Sequence, residues 1–295
     1  MLDYANGRYV FFLTTRPEAP VSGRLEPEVA MPAEPEELAV ATLNLKNLAA
    51  DDPDLTAEED AARFAQFGTL IAVNLGAPDL IVLQEAQDNN GTDPDPDGTA
   101  EADQTLVRLV AAVEAAGGPT YASAEVPPLV GQEGGQPGAN IRVAFLWRTD
   151  RGLSLVDRGG AGDAGTAVEV VDGPEGPHLS ANPARVDPGN PAFRGSRKPL
   201  AGEFAYRGRT LFVVGVHLTS KLGSEAPFGR FQPPRDVGAR TRERQAEVVA
   251  GLVAELRAVD PGALVLVAGD FNDLPASAPV GIPASLASAA TTVDP

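Results

Sequence analysis

The sequence predicts an α/β protein in which β-sheets pack together and helices lie outside them. Three observations lead there. Short apolar runs such as DLIVLQ and ALVLVAG read as buried strands. Amphipathic stretches of helical period alternate with them. Many of the strands are short, and the loops between them are long and rich in Gly and Pro.

The elements follow in order. YANGRYVFFLT (residues 4–14) reads as a strand or hairpin, because aromatic and β-branched residues flank an Asn-Gly turn. Residues 16–37 are rich in Pro and Glu and read as a linker, which sets apart a short N-terminal piece (1–15) and a main domain from 38 to 295. LAVATL (38–43) is a short buried strand. TAEEDAARFAQFGTLIAVNL (56–75) is a helix with Thr56 and Glu59 at capping-box spacing. DLIVLQ (79–84) is a strand, residues 88–103 are an Asp/Pro/Gly loop, and QTLVRLVAAVEAAG (104–117) is a helix stopped by glycine. IRVAFLWR (141–148) and FVVGVHL (212–218) are strands, and 149–200 holds short strands in long loops. RTRERQAEVVAGLVAELRAV (240–259) is a long amphipathic helix stopped by Asp260-Pro261-Gly262, and ALVLVAG (263–269) is the next strand.

The bulk numbers bound the function. A chain of 295 residues, 43% apolar and 22% charged, is long enough for a sizeable core, and it has no run of eighteen apolar residues. With no cysteine there is no disulfide framework and no thiolate metal site. MLDYANGRYV lacks the pattern of a signal peptide. The net charge of −18 argues against general adhesion to nucleic acid, yet the charge is uneven. Residues 1–184 hold 10 basic and 30 acidic side chains, whereas residues 185–257 hold 13 basic and 7 acidic ones. A polyanion can meet a locally positive face there.

Four apolar strands end in polar residues. LAVATL leads to Asn44, DLIVLQ to Glu85, FVVGV to His217, and ALVLVAG to Asp270 and Asn272. Strand ends point into loops, where chemistry sits. Taken singly, an Asn or Asp there forms a turn, a Glu is solvated and a His is packed. Together they suit phosphodiester hydrolysis. Glu85, with help from Asn44, would hold Mg²⁺. Asn272 would hydrogen-bond the phosphate or nucleophile, Asp270 would orient or deprotonate a water, and His217, if protonated, would donate to the phosphate or the leaving oxygen.

With its flanking text the chain resembles the endonuclease/exonuclease/phosphatase superfamily. ATLNLKNL, PDLIVLQEAQDNNG, NIRVAFLWR, GVHLTSK and VLVAGDFND carry the resemblance. It is most similar to the bacterial extracellular nuclease branch, through GGQPGANIRVAFLWR, RVDPGNPAFRGSRKPLAGEF, SKLGSEAPFGRFQPP and the R-x-x-Q of Arg242–Gln245. The resemblance implies a DNase-like four-layer α/β/β/α sandwich and Mg²⁺- or Mn²⁺-dependent cleavage of nucleic acid, DNA ahead of RNA. It implies an extracellular or cell-envelope setting and no membrane partner. Asn44 and Glu85 match its metal site. His217, Asp270 and Asn272 match catalytic positions, and Arg142 matches a residue near the phosphate. Arg197, Lys198 and Lys221 fall on basic elements beside the substrate cleft. YANGRYVFFLT resembles the tail of a β-rich domain that precedes such enzymes.

The superfamily pattern continues after GDFN with an Asp-His and a final Ser-Asp-His, whose His serves as general base. This chain has only His178 and His217. The resemblance therefore implies a domain shortened at its C-terminal end by roughly 60–100 residues. His178, in GPEGPHLSANP, reads as a surface loop residue. DPDPDG (93–98) opens like a calcium loop but is broken by two prolines and has Gln104 at the twelfth position, so it reads as a flexible acidic loop. Asn90-Gly91-Thr92 fits a glycosylation sequon, and Trp147 reads as core or rim packing. Three functions stay open: a nuclease, a superfamily esterase of small or lipid phosphates, and a non-catalytic remnant.

Overall fold

Two βαβ units carry the chain's architecture. In the first, β3 (Val40–Leu48), α1 (Ala57–Thr69) and β4 (Leu80–Ala86) form a parallel pair with its crossover helix. In the second, β12 (Arg209–His217), α3 (Ala239–Val259) and β13 (Leu264–Asp270) do the same. Parallel neighbours need such a crossover, because a tight turn cannot reverse the chain twice. The computed structural model describes residues 2–5, 8–11, 13–15, 25–92, 100–226 and 228–284. The acidic loop read at 93–98 lies outside them, as does the Asn-Gly turn of the N-terminal hairpin.

Each unit is widened by antiparallel strands. β5 (Tyr121–Glu125) and β6 (Arg142–Arg148) complete the first sheet in the order β3-β4-β6-β5. In the second sheet β10 (Ala184–Arg185) and β11 (Leu200–Tyr206) precede β12 and β13, and β7 (Leu153–Leu155) pairs with β11. β1 (Leu2–Ala5) with β2 (Arg8–Phe11), and β8 (Val170–Gly173) with β9 (Gly176–Leu179), are two-stranded ribbons. His178 is therefore a half-buried strand residue against Gly173, not the loop residue its Pro/Gly surroundings suggest.

Strand alternation builds the layers. Leu80, Val82, Phe145, Phe204 and Val213 meet between the sheets. Ile81 and Leu83, the alternate residues of β4, instead face Phe64 of α1 and, from α2 (Asp103–Ala115), Leu106 and Leu109. Val214 and Val216 face Val249, Val253 and Leu256 of α3. Strands covered on both faces must be apolar at every position, which is why the runs carry no polar alternation. The result is the expected α/β/β/α order of layers. A short helix, α4 (Ala278–Ala284), packs near α3.

Local expectations hold with two differences. Thr56 and Glu59 form the capping box of α1, and the helix runs on as a π-helical turn at Leu70–Asn74. β3 does not stop before Asn44. It continues to Leu48 through Lys46 and Asn47, both left-handed at φ 52° and 58°. Likewise β4 runs past Glu85, itself at φ 54°. These irregularities shift the register on both sides of β4, and a non-glycine residue in that region is strained.

Candidate active site at the strand ends

The C-terminal ends of the four parallel strands converge. β12 and β13 are in register with His217 beside Asp270. Asn44, from the facing sheet, donates Nδ2 to Glu85 Oε1 at 2.9 Å and to Asp270 Oδ2 at 3.3 Å. One amide thus joins carboxylates from both sheets. Its own Oδ1 accepts from the Lys46 amide at 2.8 Å, and that fixes which way the amide faces.

His217 is buried, with Nε2 at 3.7 Å from Glu85 and 3.9 Å from Asp270. These separations exceed hydrogen-bond range, so the carboxylates do not hold a proton on the ring. Burial, aided by the positive charge of Arg197, pushes its pKa down to about 3. The imidazole is then neutral at pH 7, so the condition set for a protonated donor is not met. Its Nδ1 makes no hydrogen bond.

The Leu218 carbonyl organises the second sheet's share. It accepts from Arg197 Nη2 at 2.8 Å and from Asn272 Nδ2 at 3.0 Å. The Leu218 amide in turn donates to the Asp270 carbonyl at 2.9 Å. Asn272 has φ 50°, and its amide donates to Asp270 Oδ1 at 2.8 Å, closing a tight turn after the strand. Gly269 precedes it at φ 142°, where a Cβ would lie 2.0 Å from the Val216 carbonyl oxygen. Only glycine fits, so the first letter of GDFN is a packing requirement.

Arg197 is nearly buried, and burial lowers its pKa against the pull of Glu85, Glu133 and Asp270. Its charge lies near enough to Glu85 and Asp270 for each to act on it. The other predicted basic residues are engaged elsewhere. Arg142, 1% exposed, pairs with Glu125 at 3.1 Å and donates to the Asn140 carbonyl. Lys198 Nζ donates to the Gln132 carbonyl at 2.9 Å and lies 3.3 Å from Glu133, which also pairs with Arg185. Lys221 pairs with Asp273 at 3.0 Å. Thus part of the basic excess of residues 185–257 is interior charge, held by carboxylates from other loops.

α3 contributes groups that were noticed in the sequence but given no role. Arg242 is fully buried and binds Asp273 and Asp236. Gln245 accepts from the Thr219 amide and donates to Ser196 Oγ, Thr219 Oγ1 and the Ala192 carbonyl. Both tie the loops beside His217, Arg197 and Asp270 to one helix. A signal existed: Arg242 and Gln245 share the buried face of α3 with Ala246, Val249 and Val253. Polar residues in an apolar stripe need partners.

For a metal, the donor set is oxygen-rich and open. Glu85 and Asp270 are partly exposed carboxylates, brought to one amide from opposite sheets. Among the described residues, no three His, Asp or Glu side chains form a metal-enclosing group. Glu85 and Asp270 are the oxygen donors that could hold a divalent cation here, with water completing its shell. Asn44, with its nitrogen on the carboxylates, orients them and presents no ligand atom to that side.

The family model described as the Endonuclease/Exonuclease/phosphatase family matches residues 41–292. No curated protein matches the chain. Similar solved structures include TDP2 from C. elegans, at 16% identity and a TM-score of 0.41, covering 80% of this chain and 48% of that one. The human nocturnin catalytic domain with bound sulfate is 15% identical, with a TM-score of 0.46 and coverage of 86% and 72%. A β-hairpin deletion mutant of beta toxin from Staphylococcus aureus is 13% identical, with a TM-score of 0.45 and coverage of 85% and 72%. The chain spans about half the length of the TDP2 chain that it matches. No helix among the described residues is long and apolar enough to cross a membrane.

Proposed function

The chain belongs to the endonuclease/exonuclease/phosphatase family, and on that premise we propose that it is a divalent-metal-dependent phosphodiester hydrolase acting on nucleic acid, DNA ahead of RNA. One observation carries the reading. Asn44 holds Glu85 and Asp270 together across the two sheets, at 2.9 and 3.3 Å. Two carboxylates kept this close, with a neutral imidazole beside them, form an anionic site that a hard cation would complete.

Glu85 would hold Mg²⁺ or Mn²⁺, which when bound supplies polarisation of the phosphate and stabilisation of developing charge. The chain's own groups do the rest. Arg197 offers positive charge to a phosphate oxygen. Neutral His217 donates from Nε2 to another, the tautomer that leaves the proton toward the site. Asp270 orients the attacking water and takes its proton, while the amide of Asn44 fixes the carboxylate. The water oxygen bonds to phosphorus as the bond to the leaving sugar oxygen breaks. That oxygen then takes a proton from solvent.

Plasmid nicking with Mn²⁺, beside Glu85→Ala, tests this reading. The wild-type chain is expected to nick, and the variant to lose about 1,000-fold in rate, the several kcal/mol that such a cation supplies. Phosphate release from small esters with plasmid left intact would contradict the nucleic-acid assignment.

A further inference from the structure

Exposed aromatic rings are gathered in one district. Among the described residues every exposed aromatic side chain lies on the β1–β2 hairpin or on the loop of residues 219–238: Tyr4, Tyr9, Phe11, Phe228 and Phe231. Phe228 is 82% exposed and Phe11 83%. The two segments touch, since the Arg230 amide donates to the Tyr4 hydroxyl at 3.3 Å. Scattered apolar surface needs no explanation, but a segregated set of rings does.

The loop is fastened to the candidate site. It leaves β12 directly after His217 and Leu218. Lys221 pairs with Asp273, three residues beyond Asp270. Asp236, at its far end, pairs with Arg242. In between, the Glu225 amide donates to the Arg235 carbonyl, and the Arg235 amide donates to the Glu225 carboxylate. These bonds close the neck, so Phe228, Arg230 and Phe231 lie on a tip whose base is pinned to the catalytic loops. The Arg230 guanidinium lies over the Phe231 ring, 4.5 Å from its centroid. The loop of residues 219–238 itself holds three basic and two acidic side chains, in a chain of net charge −18.

We propose that this loop and the hairpin beside it form a stacking platform for unpaired bases of a nucleic-acid strand whose phosphates lead into the site. The inference rests on the reading of nucleic acid as substrate. Rings beside the Arg230 guanidinium, carried on a loop tip and a β-hairpin rather than on an amphipathic helix, match a polyanion with exposed π-faces better than a lipid surface. Bases inside a duplex offer no such faces. The platform therefore favours single-stranded ends, gaps or loops over intact duplex.

The test is binding in EDTA, read by fluorescence anisotropy, so that cleavage plays no part. Labelled (dT)20 and a 20-base-pair blunt duplex are the probes. The wild-type chain is expected to bind the single strand about 10-fold more tightly than the duplex. Phe228→Ala/Phe231→Ala is expected to lose about 30-fold on the single strand, in the range of base stacking on two rings, with an unchanged Tm. Tyr9→Ala should weaken binding less, and Arg230→Gln should lower the salt slope by about one. Equal affinity of wild type and double variant for (dT)20 would overturn the proposal. So would co-sedimentation with phosphatidylcholine/phosphatidylserine vesicles that the double variant loses while DNA binding stays. A dimer in sedimentation velocity that the double variant dissolves, again with DNA binding kept, would assign the rings to a second copy. If instead DNA binds as expected but is never cut when Mn²⁺ is added, the platform stands and the hydrolase reading fails.

Discussion

The two βαβ units bring their candidate site residues to the same place by different means. In residues 40–86 the backbone is irregular at the site: Glu85 itself, and Lys46 and Asn47 just after Asn44, take left-handed conformations where the strand register shifts. In residues 209–270 a helix does it, through side chains. Arg242 and Gln245 of α3 reach the loops beside His217, Arg197 and Asp270. α1 has an analogous arginine, Arg63, which binds Asp52 and the Lys46 carbonyl. Yet its side chain is 25% exposed, whereas that of Arg242 is 0% exposed. Water can replace the first arginine but not the second. The first half therefore carries strained backbone and a partly solvated arginine, the second a buried charge network, and they should fail differently.

The largest expected difference concerns stability. Arg242→Met leaves Asp236 and Asp273 without their buried partner and is expected to cost about 3 kcal/mol in urea unfolding. A cost near zero would mean that α3 does not clamp the loops.

A pH series sharpens the same point. Burial works to raise the Asp273 pKa, but hydrogen bonds from Arg242 and Lys221 outweigh it and hold the carboxyl below its ordinary range. A depressed carboxylate stabilises the fold above its unfolded pKa, about 3.9, and that contribution fades as pH falls through the lower folded value. Asp273→Asn should accordingly flatten the acid limb of the Tm–pH curve below about pH 4. An unchanged acid limb would show that the bond pattern at Asp273 is not maintained in solution.

The smallest effect is expected at Arg63. Arg63→Ala should cost no more than about 1 kcal/mol, because this partly buried pair is still reached by water. A loss as large as that of Arg242→Met would erase the contrast between the halves.

Much of this arrangement was readable from the chain because it is local. The centres of these runs, LIVL and ALVLVA, are apolar since both faces are covered, and the polar residues that follow point to the site even though β3 and β4 run on past Asn44 and Glu85. Asn44, Glu85, His217 and Asp270 were found that way, and the structure brings them together. What was not readable depends on distant partners. Nothing near Arg142 or Lys198 in sequence announces Glu125 or Glu133, so both cations looked free for substrate. Asp273 sat unremarked beside GDFN, because its role comes from Arg242 and Lys221. The left-handed turns at Lys46, Asn47 and Glu85 were invisible too, since no glycine marks them.

The central claim is that carboxylates from two sheets act as one site. A double-mutant cycle on Mn²⁺-dependent plasmid nicking, with Glu85→Gln on the first sheet and Asp270→Asn on the second, tests it most directly. Each single change is expected to reduce the rate by about 1,000-fold. If the residues work as a unit, the double variant should be no more than about 10-fold slower than the worse single variant. Losses that multiply, to about a million-fold, would show that the two strand ends act independently, and would contradict the account.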